Sequence, residues 1–202
     1  PDGVFSYSYG SYGNLITVTK PNASTLTYHY ENPSYVNALT GITDEKGIRF
    51  ATYGYDTNGH AISSEHAGGV ENYTVTYNPD GSATTTNPLG KQTTYHFETI
   101  LGVRKVVTVE GHALASCAAA NQAYSYDSRG FLTSQTDWLG NLKTYIRNDR
   151  GLVSTMTEAA GTRAEKTTHY TYHSIYRLPV NITENGKVTN FNYDAHGRII
   201  EK

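Results

Sequence analysis

The chain has 202 residues, a net charge of -2 and only 17% charged residues, against 18 tyrosines and 19 glycines. It lacks the basic excess that nucleic acid or an anionic membrane surface selects. Its one cysteine, Cys117, cannot close an internal disulfide, and no apolar run approaches the roughly 18 residues of a membrane-spanning helix. The polarity is carried by Thr, Ser, Asn, Gly and Tyr, which suits strands and turns and suits long helices poorly.

From the amino end, the first element is an aromatic pair in YSYGSYG (Tyr7 to Gly13), followed by the alternating Leu15-Ile16-Thr17-Val18-Thr19. YHYENPS then begins at Tyr28, YGYDTNG spans Tyr53 to Gly59, VTYNPDG spans Val75 to Gly81 and YHFETIL begins at Tyr95. GHALASCAAANQA (Gly111 to Ala123) interrupts the pattern and reads as an inserted loop over about 111–123 with one helical turn. The pattern resumes in YSYDSRG (Tyr124 to Gly130), YIRNDRG (Tyr145 to Gly151), YTYHSIY from Tyr170 and FNYDAHG (Phe191 to Gly197), with a smaller excursion from Glu158 to Glu165. The second aromatic-type position of each copy falls at Tyr9, Tyr30, Tyr55, Tyr77, Phe97, Tyr126, Arg147, Tyr172 and Tyr193, 20 to 29 residues apart. Nine copies fill residues 1–202 as a single repeat array. The chain starts Pro1-Asp2-Gly3 without Met and stops in what reads as an opening strand, Arg198 to Lys202. Both ends are therefore expected to be cut from something longer.

A second turn signal lies between the first ones, at Thr43 to Gly47, Asn87 to Gly90, Thr136 to Gly140 and Thr183 to Gly186. Each period thus holds two turns and two strands. Residues i and i+2 share one face of a strand, so Tyr53 and Tyr55, or Tyr124 and Tyr126, point together. The residues between them are small or polar. Asp56, Asp127 and Asp194 are expected to bond the backbone two residues on, and Gly59, Gly81, Gly130, Gly151 and Gly197 to supply positive φ at the turn's end. A row of calcium-binding carboxylates is the rival reading of the aspartates. It would need several oxygens converging on each ion, and other copies carry Gly10, Glu31, Asn78 and His173 there.

No nucleotide-binding, hydrolase-elbow, zinc-protease or paired-cysteine pattern occurs, so no catalytic residue, metal ligand or cofactor is assigned. His169 and His173 are four apart, roughly 13 Å along a strand, too far for one ion. Cys117 has mostly small neighbours and nothing marking a base. Trp138 is the one candidate for stacking on a ligand, though covering the next hairpin is the stronger expectation. Three sequons, at Asn22, Asn72 and Asn181, are unsurprising in so Asn- and Thr-rich a chain. The tyrosines read as a cross-strand ladder with hydroxyls wet at the rim. A carbohydrate-binding or cell-surface adhesion strip is the alternative.

YSYDSRGFLTSQTDWLGNLKTY and FNYDAHGRII resemble the YD repeats of the RHS-repeat family, whose unit reads YxYDxxGRLxxxxxxxG. The likeness covers essentially the whole chain, and the run from Leu39 through the Cys117 loop is similar to the amino-proximal repeat region of proteobacterial Rhs polymorphic toxins. The resemblance implies an all-β fold, with tandem hairpins forming one curved, continuous antiparallel sheet as part of a shell. It also implies a structural role, enclosing a carboxy-terminal toxin domain until secretion or delivery, by a contractile (type VI) system or within an insecticidal complex. The implied partners are the remaining repeats, that toxin domain and a secretion-system component, with no nucleic acid and no membrane span. The family's DPxGL-like plug with its self-cleaving aspartates is absent, so the expected role is wall only, without enzymatic activity. Eighteen or so strands, little helix and self-association through edge strands near Val4 to Tyr9 and Asn190 to Lys202 complete the expectation.

Overall fold

The computed structural model describes residues 3–115 and 118–202, and 54% of these are strand, well above the 20–25% of ordinary domains. Nineteen strands occur among the described residues, and the only helical element among them is a short 3-10 turn at Ala67–Gly69. The fold is all-β. The first seventeen strands belong to one antiparallel sheet, and every registered pair joins strands adjacent in sequence. Thr is a main contributor because a β-branched side chain packs well on a pleated surface. Facing Thr hydroxyls bond across strands at Thr84–Thr94 (2.9 Å) and Thr157–Thr167 (3.1 Å).

Contacts divide the chain into two units, Pro1–Thr94 and Tyr95–Lys202. The first holds β1 (Ser6–Tyr9), β2 (Leu15–Thr19), β3 (Thr25–His29), β4 (Gly41–Thr43), β5 (Arg49–Tyr55), β6 (Ala61–His66), β7 (Val70–Tyr77) and β8 (Ala83–Thr86), each paired with the next. The boundary falls inside β9 (Gln92–Ile100).

The second unit continues with β10 (Val103–Gly111), β11 (Ala120–Tyr126), β12 (Leu132–Thr136), β13 (Leu142–Arg147), β14 (Val153–Glu158), β15 (Lys166–Tyr172), β16 (Pro179–Glu184) and β17 (Lys187–Asn190), again in successive pairs. A separate hairpin of β18 (Asn192–Tyr193) and β19 (Ile199–Glu201) follows. The interruption expected over 111–123 is shorter in the structure. Gly111 pairs with Ala120, and Ala120–Tyr126 is strand, so only residues 112–119 lie between β10 and β11. Cys117 lies outside the described residues.

One irregularity recurs at the aromatic position. Tyr9, Tyr55, Tyr126, Arg147, Tyr172 and Tyr193 pair with Leu15, Ala61, Leu132, Val153, Pro179 and Ile199, and the register shifts immediately before each. The extra residue sits on the outgoing strand, at Ile16, Ile62, Thr133, Ser154, Val180 and Ile200. A β-bulge of this kind bends its strand and adds local right-handed twist.

The sheet has almost no interior. Among the described residues the buried apolar side chains are Ala51, Val109 and Leu152, the buried polar ones are Ser82, Thr94 and Thr168, and no side chain is fully enclosed. Ordinary domains bury one face of each layer against another layer. Here the ladder itself, the turns and the links between repeats carry the structure.

Candidate functional site: linked tyrosines and a groove beside Tyr30

The outgoing strand of each hairpin pairs with its successor only from two residues in. The β6–β7 ladder ends at Ser63–Thr74, β12–β13 at Ser134–Thr144, β14–β15 at Thr155–His169 and β16–β17 at Asn181–Asn190. The first residue of each outgoing strand, Ala61, Leu132, Val153 or Pro179, therefore has no ladder partner on that side. Its carbonyl needs a donor where it is shielded from water, and the next repeat's aromatic position supplies one. Tyr77 donates its hydroxyl to the Ala61 carbonyl (2.9 Å), Tyr172 to Val153 (2.8 Å) and Tyr193 to Pro179 (2.7 Å). Tyr55 donates to Leu39 (2.8 Å) and Tyr126 to Val106 (3.0 Å) in the same manner. Burial pushes the Tyr55, Tyr126 and Tyr172 phenols above their ordinary pKa, which keeps them donors.

These bonds overturn the expectation of wet hydroxyls. The recorded ring contacts also pair Tyr with other groups: Tyr77 with His60 (4.9 Å), Tyr176 with His173 (4.8 Å), Tyr126 with the Lys105 ammonium (5.3 Å). At Arg147 the consensus aromatic is lost and the link is kept, because the guanidinium donates to the Leu132 carbonyl (3.4 Å) and to Gly151 (3.2 Å). Phe97, in β9, has no hydroxyl to give and lies under the Arg104 guanidinium at 4.3 Å. Tyr9 is largely exposed on β1.

The turns share one construction. Asp56, Asp127, Asp194 and the second-signal Asp44 and Asp137 each accept, on one carboxylate oxygen, the N–H groups two and four residues on, at 2.8–3.0 Å. Asn87 and Asn148 do the same with an amide oxygen. The backbone N–H of Phe131 holds the Asp127 carboxyl below the usual carboxylate range, and that of Arg198 does so for Asp194. Gly59, Gly81, Gly130, Gly151 and Gly197 all have φ between 75° and 85°.

Two of these glycines have a second reason to lack a side chain. A Cβ on Gly151 would lie 2.7 Å from the Phe131 ring, and one on Gly59 would lie 2.7 Å from the Tyr35 ring. Each turn is roofed by a residue from the repeat before it. Tyr35 donates to the Thr57 carbonyl (2.9 Å), Tyr176 to Ala195, and Arg150 reaches the carbonyls of residues 173 to 176 at 2.7–3.1 Å. Trp138, 43% exposed, lies over Gly111, with ring atoms 3.2 and 3.6 Å from where a Cβ would stand. It covers a neighbouring hairpin. Tyr35, Arg150 and Tyr176 were not singled out by the sequence. The repeated offset of Asn32 to Tyr35 and His173 to Tyr176 marks two of them. Asn32 and His173 each accept two backbone N–H groups, the second from that tyrosine.

Besides that of Phe97, one further interval departs from the linking rule. The acceptor facing Tyr30 would be Leu15, the partner of Tyr9, yet among the described residues the Tyr30 hydroxyl bonds nothing in the protein. In its place lies a cavity of about 480 Å³ lined by Tyr12, Ile16, Tyr28, Tyr30, Pro33 and Val36. The loop after Tyr30 is clasped from three sides. Arg49 holds Glu31 through two bonds of 2.9 Å, Asn14 Nδ2 donates to the Val36 carbonyl (2.7 Å), and Tyr35 holds Thr57. The Arg49 guanidinium brings the Glu31 carboxyl down to about 2.

No family model and no curated protein matches the chain. Solved structures do. The crystal structure of TcdB2-TccC3 without its hypervariable C-terminal region matches with a TM-score of 0.61 and 17% identity, over 98% of this chain and 12% of that one. TcdB2-TccC3 itself matches with a TM-score of 0.60, 16% identity and the same coverage. A TcdB2-TccC3-TEV structure gives 0.50 and 12% identity over 96% of this chain and 14% of that one. At such identity the likeness is one of fold, and the chain spans about an eighth of the length of those chains. What the comparisons establish is a tandem hairpin sheet like that found within TcdB2-TccC3.

Proposed function

We propose that these residues form a stretch of wall in an Rhs-type β-sheet shell, whose work is to enclose a carboxy-terminal toxin domain of its parent protein until delivery. The observation that carries this reading is a sheet with almost no core of its own, closed repeat to repeat by hydroxyl-to-carbonyl links. Such a sheet covers area with few residues, which suits a wall and gives little depth for a catalytic cleft. The YD pattern and the fold shared with TcdB2-TccC3 support the same reading. On this reading the partners are flanking repeats, the enclosed domain and a delivery component, the destination is outside the producing cell, and the chain catalyses nothing itself.

The test is protease protection of the parent protein. In a parent chain carrying the intact wall, the polypeptide after these repeats resists trypsin. With Tyr126, Tyr172 and Tyr193 changed together to Phe, it is digested sooner. Immediate digestion of the following segment in the unaltered protein would overturn the proposal.

A further inference from the structure

A second hollow lies where the loop between β3 and β4 meets the end of β5 and the turn after it. Its volume of about 370 Å³ falls within the roughly 300–1,000 Å³ of small-molecule sites. Three tyrosines line it, Tyr35 from the loop and Tyr53 and Tyr55 from β5. Two carboxylates line it as well, those of Glu31 and Asp56, and among the described residues no Lys, Arg or His side chain does. Two of the rings are tied by their hydroxyls, Tyr35 to the Thr57 carbonyl (2.9 Å) and Tyr55 to the Leu39 carbonyl (2.8 Å). The rings are therefore in place before a ligand arrives, which spares the cost of ordering them on binding.

The carboxylates decide which ligand fits. Glu31 accepts Arg49 on both oxygens at 2.9 Å, takes the Thr40 hydroxyl at 3.1 Å and has the His29 ring 3.7 Å away. Asp56 accepts the N–H groups of Asn58 and His60 on one oxygen and meets the His60 ring at 3.1 Å on the other. With both imidazoles neutral, Arg49 balances Glu31, and Asp56 leaves the hollow one net negative charge. The site thus attracts a cation, yet every carboxylate oxygen already has a partner. A primary ammonium is strongly hydrated and must replace that water with acceptors for its three N–H groups. A quaternary ammonium donates no hydrogen bond. It needs only a negative potential and the electron-rich faces of aromatic rings.

We propose that this hollow is a binding site for a small quaternary ammonium compound of the choline type. The methyl groups of the cation lie against Tyr35, Tyr53 and Tyr55, and the Asp56 charge acts on it through space. The inference does not depend on the shell reading, because a wall with or without this site remains a wall. Asp56 also offers a variant that keeps the fold. An amide oxygen builds the same turn at Asn87 and Asn148, so Asp56→Asn removes the charge and leaves the turn.

The experiment is saturation-transfer NMR and titration calorimetry on the full chain with choline, its uncharged tert-butyl isostere and ethanolamine as probes. Choline is expected to bind saturably at millimolar concentration, with its methyl protons receiving saturation. The isostere and ethanolamine are expected to bind roughly tenfold more weakly. Asp56→Asn weakens choline binding several-fold while the melting temperature stays close to that of the unaltered chain. Tyr53→Leu keeps apolar bulk but removes a ring, and weakens it roughly tenfold. Asp127→Asn makes the same exchange in the turn after β11 and leaves choline binding intact. Four results overturn the proposal: no saturable choline binding, equal binding of the tert-butyl isostere, equal binding of ethanolamine, or equal loss in Asp127→Asn.

Discussion

The two units use the same repeat and differ in what stands where a link is missing. In the second, Tyr126, Arg147, Tyr172 and Tyr193 each donate to a backbone carbonyl of the preceding repeat, Phe131, Arg150 and Tyr176 each reach the following turn, and Phe97, without a hydroxyl, lies under the Arg104 guanidinium. In the first, Tyr55 and Tyr77 make the link, and Tyr30 opens a groove. The contrast teaches that the aromatic position is not itself the lock. What locks is a donor of the right length facing a carbonyl that the ladder has left without a partner. Arg147 satisfies that condition without being aromatic, and Tyr30 is aromatic without satisfying it.

The largest effect that would sharpen this contrast is at a roofed turn. Gly151→Val forces a β-branched residue into positive φ and drives its side chain into Phe131. The left-handed conformation costs about 1–2 kcal/mol and overpacking about 1–3 kcal/mol. Gly140→Val meets only the first cost, since a Cβ there finds nothing within 4 Å. Chemical denaturation is expected to show Gly151→Val as clearly the worse of the two. Equal losses would mean that turn roofing contributes nothing.

Next in size is the link. Tyr172→Phe leaves the Val153 carbonyl without its donor and is expected to cost about 1 kcal/mol, a fall of roughly 2–4 °C in melting temperature for a chain of this size. Tyr30→Phe is expected to cost nothing measurable. If both variants melt alike, the hydroxyl links are not what holds the repeats.

The smallest effect separates turns by chemistry. Asp127 and Asp194 titrate below the ordinary carboxylate value of 3.8 in the fold. Their contribution is present above that value and is lost as pH falls through their lowered folded values. The equivalent Asn87 and Asn148 turns carry no such charge. Amide protection, corrected for the intrinsic slowing of exchange toward acid and followed from pH 5 down to 2.5, is expected to fall around residues 127–131 and 194–198 before it does at 87–91 and 148–152. Simultaneous opening would show that the carboxylates are not what shapes the aspartate turns.

Much of this architecture was legible in the sequence. The period, the two turns per repeat and the position of the turn glycines follow from side-chain alternation and from residues that tolerate positive φ. The bulge before each marker was not legible, because the extra residue is Ile, Thr, Ser or Val and any strand residue can fill it. The links were hidden for another reason. They run from a side chain to a main-chain oxygen 14 to 20 residues away, and an acceptor every residue possesses leaves no compositional trace. For the same reason nothing in the sequence marks Arg147, the non-aromatic residue at a marker position, as a substitute donor. The loop expected at 111–123 was overestimated because Ala120 to Ala123 are poor strand formers, and pairing with β10 overrides that preference.

That main-chain acceptor has an evolutionary consequence. The oxygen receiving each link belongs to Leu39, Ala61, Val106, Leu132, Val153 or Pro179, six residues of four kinds. A repeat therefore imposes no residue choice on its predecessor at the point where they join. Copies can be duplicated, deleted or exchanged by recombination without a matching change next door, as long as the incoming copy brings its own donor. An array joined through specific side-chain pairs would need two coordinated mutations for every such event. Here one suffices, so such an array can change length faster than it changes its joints.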